Sequence, residues 1–118
     1  MPIPPPANHL SDAVLRARLL QWTRRTNVYP LFKGTSLEKM RQWFAIVERA
    51  CRASNIARTQ YTEAAITLLS GDIETIMRLR WEAYLEENEN GYWDWNEFKV
   101  DIAKNVELTS DTSLRTFF

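Results

Sequence analysis

Hydrophobic and polar positions along this chain repeat mostly at spacings of three and four residues, the period of helices that each bury one face. The first such stripe is Leu15, Leu19 and Trp22, entered through Ser11 or Asp12 as an N-cap and stopped over Asn27 to Pro30, where proline disfavours helix at the residue before it. The second is Leu37, Met40, Phe44, Val47 and Cys51, widened by Trp43, Ile46 and Ala50. Thr35 with Glu38 forms a capping-box pattern at its start, and Ser54-Asn55 ends it. A third helix is expected from about Ala57 to Ser70, with Tyr61, Ala64, Ala65, Leu68 and Leu69 inward and Gly71 as its positive-φ end. Asp72 is expected to cap a fourth, whose apolar positions are Ile73, Ile76, Met77, Trp81, Tyr84 and Leu85. After an acidic stretch from Glu86 to Gly91, Asp94 and Glu97 form a second box, and Trp93 and Phe98 stand at hydrophobic-staple positions. That last helix buries Phe98, Ile102 and Val106.

The pattern predicts an all-α protein, a compact bundle of about five helices. Residues 1–9, rich in proline, are expected to form a flexible arm, residues 10–108 the helical domain, and residues 109–118 a frayed tail. The scarcity of glycine, 3 residues in 118, fits helices better than a turn-rich β fold. A 45% hydrophobic and 25% charged composition is ordinary for a globular domain.

Charge changes the picture. The net charge is zero, yet residues 1–60 carry ten Lys and Arg against three Asp and Glu, while residues 61–118 carry five against twelve. The two halves can attract each other within one fold, or a basic face of one copy can meet an acidic face of another, as in head-to-tail assembly. On the second reading the candidate interface pairs Arg16, Arg18, Arg24 and Arg25 with Glu82, Glu86, Glu87 and Glu89.

Candidate chemistry is thin. His9 is the only histidine and lies in the arm; Cys51 is the only cysteine and lies on an apolar stripe, where a small buried hydrophobe is expected. The chain has neither a Gly-rich phosphate loop nor a G-x-S-x-G elbow. The reading is non-enzymatic, with no cofactor, no small-molecule substrate and no membrane partner. The opening residues lack the basic and apolar regions of a secretory signal, so a cytoplasmic location is expected. One metal motif is present: Glu86, Asn88, Asn90 and Glu97, with Gly91 between, nearly match the oxygen positions of a twelve-residue EF-hand loop. Against it stand the longer Glu at the first position, the lack of a second loop, and Glu82 and Asp101 at flanking positions that ask for apolar residues. Trp22, Trp43 and Trp81 fall on apolar stripes and are expected in the core.

Three short patterns, in order, resemble the capsid domain of gypsy-type retrotransposon gag proteins, specifically its N-terminal lobe. They are Phe32-x-Gly34 followed by a helix carrying Trp43-Phe44, Leu69-x-Gly71, and Trp95-x-x-Phe98-Lys99. The likeness spans roughly Pro30 to Val106. It departs where Ile73 and Ile76 replace a small and an aromatic residue, with Trp81 placed to supply the missing bulk. The resemblance implies a structural lobe that self-associates to build a virus-like shell. It implies RNA contact only indirectly, through a region not matched in this chain. A domesticated lobe of this type implies instead a monomeric adaptor that receives a peptide segment.

Overall fold

The computed structural model describes residues 9–89 and 91–115, with side chains described to Glu107. The Pro-rich opening therefore lies outside the described residues apart from His9. Five α-helices follow in order: α1 (Asp12–Thr26), α2 (Leu37–Ala53), α3 (Tyr61–Thr67), α4 (Asp72–Glu87) and α5 (Trp95–Arg115). A single 3-10 turn, Arg58–Gln60, leads into α3. The architecture is an all-α bundle, as the periodicity predicts. The last helix continues to Arg115, through much of the stretch assigned to a tail.

The helix ends follow local chemistry. Ser11 caps α1 by accepting the Val14 N–H at 3.3 Å, and Asn27 ends it in the left-handed region at φ 58°. At α2 the cap is Ser36, not Thr35: its hydroxyl accepts from the Lys39 N–H at 3.1 Å. Asn55, at φ 59°, turns the chain after α2 as expected of an asparagine. Asp94 caps α5 through Oδ2, which accepts from the Asn96 and Glu97 N–H groups, and Trp93 meets Phe98 edge-on at 5.4 Å to complete the staple. The Glu97 half of the box does not form; its Oε2 accepts from the Tyr84 hydroxyl at 2.7 Å instead.

The third helix is shorter than its pattern suggests. It stops at Thr67, Leu68 turns the chain out of the helix, and Leu69 pairs with Phe32 in a one-residue parallel bridge. The Phe32 N–H donates to the Leu68 carbonyl, and the Ser70 N–H donates to the Phe32 carbonyl, both at 3.0 Å. Gly71 accordingly opens α4 rather than closing α3. Its φ of 72° and ψ of −153° define a conformation open essentially to glycine alone, and Asp72 is the first helical residue, not the cap.

The short α3 sits at the centre and packs against α1, α2, α4 and α5. Ala64 and Ala65 are fully buried, and their small side chains let neighbouring helices approach closely. Around them the core gathers Leu15, Leu19 and Trp22 from α1, Met40, Trp43, Val47 and Cys51 from α2, Met77 from α4, and Phe98, Ile102 and Val106 from α5. Two buried polar side chains are satisfied by backbone. The Thr62 hydroxyl donates to the Trp93 carbonyl at 2.7 Å, and Gln60 clamps both the N–H and the carbonyl of Leu10. Satisfied in this way, they avoid the cost of unpaired burial.

Candidate interaction surface

The residues of the three family-like patterns all lie inside the bundle or at its turns. Phe32 stacks on Trp43 at 5.2 Å, and the Trp43 indole N–H donates to the Pro30 carbonyl at 2.8 Å. Gly34, at φ 78°, presses against Ile73; a Cβ there would lie 3.0 Å from the Ile73 Cβ. Leu69 answers Phe32 across the bridge, and Gly71 follows it. Trp95 stacks on Phe98 at 5.6 Å and meets Phe44 and Tyr61 edge-on. The contacts join into one chain of rings, from Phe32 through Trp43, Phe44, Trp95, Phe98 and Trp93 to Tyr84. Offset-stacked and edge-on pairs of this kind contribute about 0.5–1.5 kcal/mol each beyond area burial. These contacts hold the fold together.

The expected basic face divides on inspection. Arg16 pairs with Asp12 on its own helix at 2.8 Å. Arg18 is turned inward to the end of α2, donating to the Ser54 and Asn55 carbonyls at 3.2 Å each. It serves as an intrachain cap, a role its place in an arginine-rich helix does not reveal. Arg24 and Arg25 are exposed in the last turn of α1 and make no ion pair among the described residues. Glu82, Glu86, Glu87 and Glu89 are likewise exposed and unpaired among those residues.

Ion pairs between the oppositely charged halves do little to neutralise either. His9 lies 3.8 Å from Glu63, while Lys99 and Glu48, also at 3.8 Å, join a cation of the acidic half to a carboxylate of the basic half. The remaining pairs, Arg78 with Glu74 and the two-pronged Arg80 with Asp101, stay within the acidic half. Arg24 and Arg25 of the one half and Glu82, Glu86, Glu87 and Glu89 of the other thus stay outside any ion pair among the described residues.

An apolar patch adjoins the basic helix. Leu20, Val28, Tyr29 and Leu31 are exposed, Tyr29 at 71% and Leu31 at 62%, which is far from the burial such side chains reach in a core. Leu19, Leu20, Tyr29, Leu31 and Leu68 line a recess of about 300 Å³ there, with Arg16 at its rim. The sequence signal for it is the run Val28-Tyr29-Pro30-Leu31, apolar yet outside any helical stripe.

Cys51 is buried on α2, and burial pushes its thiol up to about 12, so it stays protonated at neutral pH. His9 is far along the sequence from Cys51 and faces Glu63 on α3. Of the calcium-loop positions, Asn90 lies outside the described residues. Glu86 is helical, Asn88 donates to the Tyr84 carbonyl, and Glu97 is held by the Tyr84 hydroxyl. Among the described residues, no group of three or more His, Cys, Asp or Glu side chains could hold a metal ion. No described helix is long and apolar enough to cross a membrane. No family model matches the chain, and no curated protein or solved structure matches it either.

Proposed function

We propose that this chain is a gag-like capsid lobe that acts by self-association, the exposed arginines at the end of α1 meeting the exposed glutamates at the end of α4 of a neighbour. The observation that supports this reading is the charge the fold leaves unpaired among the described residues: Arg24 and Arg25 at the end of α1, and Glu82, Glu86, Glu87 and Glu89 towards and beyond the end of α4. Surfaces of opposite sign on one molecule are complementary between copies, and a head-to-tail arrangement of them closes rings or extends lattices. The order of the three family-like patterns supplies the shell-building character of the proposal.

Sedimentation velocity across a salt series tests it. Association is expected at about 0.05 M salt and weakened at about 0.5 M, because exposed charges are screened within a few ångströms at the higher value. Arg24→Glu with Arg25→Glu should abolish association, and adding Glu86→Lys with Glu87→Lys should restore it. Association that is unchanged or strengthened at high salt would sink the electrostatic interface.

A second reading is favoured by a separate observation. The apolar recess between Leu20, Tyr29, Leu31 and Leu68 is of a size to take one or two side chains of an extended peptide, the role of a monomeric adaptor. A stable monomer at high concentration whose Leu31 and Leu68 methyl signals shift with an apolar peptide would select this reading over assembly.

A further inference from the structure

A small polar recess opens where α2, the 3-10 turn and α3 meet. Glu48, Arg52, Arg58 and Tyr61 line it, and it encloses about 170 Å³, room for an ion and its remaining waters. None of the sequence patterns points to it, because its residues come from three elements.

The hydrogen-bond inventory of this recess is unbalanced. Arg58 lies over the Tyr61 ring at 5.8 Å and gives one N–H to the Asn96 side chain at 3.3 Å. Arg52 reaches only the Glu48 backbone carbonyl at 3.4 Å. Each guanidinium carries five N–H donors, and neither arginine is ion-paired among the described residues. The Tyr61 ring is buried while its hydroxyl stays open to solvent, and that hydroxyl makes no hydrogen bond among those residues. The Tyr61 phenol is a donor at neutral pH, as any tyrosine is, and burial pushes it further above its ordinary range.

Glu48, the one carboxylate lining the recess, is engaged through one of its two oxygens. Its Oε1 accepts from the Trp95 indole N–H at 2.9 Å and faces the Lys99 ammonium at 3.8 Å. The lining residues set Arg52 and Arg58 against Glu48, whose charge Lys99 faces from outside the recess, so the two guanidinium charges are left to a ligand. Donors outnumber acceptors, and the residual charge matches a dianion better than a single carboxylate.

We propose that this recess binds a phosphate oxyanion, free or as the terminal group of a phosphomonoester, with Arg52 and Arg58 donating to its oxygens and Tyr61 adding a third bond. The site is independent of the assembly proposed above, since it uses neither α1 nor the end of α4.

The test is an NMR titration of the whole chain with inorganic phosphate and, separately, with phenyl phosphate. It is run at about pH 7.5, where the dianion predominates, and at ionic strength held constant with chloride. Saturable shifts are expected in the arginine side-chain N–H signals, the Tyr61 ring and the Trp95 indole N–H. Tighter half-saturation by phosphate assigns the free ion, and tighter half-saturation by phenyl phosphate assigns a phosphomonoester. Arg52→Gln with Arg58→Gln should raise the half-saturation concentration by at least about tenfold, as loss of charge-assisted bonds requires. Tyr61→Phe should raise it less. Both arginines are exposed, so a circular-dichroism spectrum unchanged from the parent is expected and separates lost binding from lost fold. Linear, non-saturating shifts, the same shifts with chloride alone, or a response kept in the double variant would overturn the proposal.

Discussion

The α2–α5 seam and the α1 face are built from similar residue types and finished to different degrees. In the seam, large aromatics are stacked ring to ring, the Trp43 and Trp95 indole N–H groups have acceptors, and the staple locks the start of α5. On the α1 face, Leu20, Tyr29 and Leu31 stand in solvent and Arg24 and Arg25 lack carboxylate partners among the described residues. The difference teaches that the apolar side chains of the α1 face, like Leu79 and Val100 on α4 and α5, lie beyond what the core covers. Single exposed apolar residues are common on any surface, but three gathered around one recess are not. The seam completes its bonding within the chain; the α1 face leaves valences for something outside it.

Substitutions should divide along that line. The largest effect is expected for Trp95→Ala, which empties a buried site touching Phe44, Tyr61 and Phe98 and should cost about 3–5 kcal/mol in urea unfolding. Gly34→Ala comes next, at about 2–4 kcal/mol. It forces a side chain into positive φ and drives a Cβ into Ile73. Tyr29→Ser with Leu31→Ser should change stability by less than about 0.5 kcal/mol each while removing any peptide-induced shift at the recess. A large loss of stability from that pair would erase the distinction between the two regions.

A still smaller effect concerns pH. Burial raises the Glu63 carboxyl above its ordinary 4.5, an effect opposed by His9. A carboxyl whose native pKa is raised binds its proton more tightly when folded. Its contribution to stability is therefore full below the unfolded value and is lost as pH rises through the native one. Relative to the parent, Glu63→Gln should flatten the pH dependence of stability across that interval. An identical slope in both proteins would remove the assignment.

Much of the fold is legible in the sequence because caps and stripes are local signals. Ser11, Asn55, Asp94 and the Trp93–Phe98 staple act within a few residues of where they stand. The end of α3 is not legible. Leu68-Leu69 continues an apolar run equally suited to helix or extended chain, and the choice is made by Phe32, distant in sequence. The Glu97 half of the box fails for a similar reason, since Tyr84 from α4 competes for the carboxylate. Arg18 reads as a surface cation until the end of α2 is placed beside it. The recess at Arg52, Arg58 and Tyr61 depends on three elements meeting, and the apolar patch depends on knowing that Tyr29 and Leu31 find no cover.

The bridge between Phe32 and Leu69 also sets a clock for folding. Its two backbone hydrogen bonds close a loop containing all of α2 and α3, and closing a loop of that length costs roughly 3 kcal/mol of chain entropy. Helices inside the loop can form before that cost is met, so the bridge belongs to the late, cooperative step. The amide protons of Phe32 and Ser70, the only two it protects, should exchange with solvent at the rate of whole-molecule opening, making this short bridge a gauge of the folded state in which every helix participates.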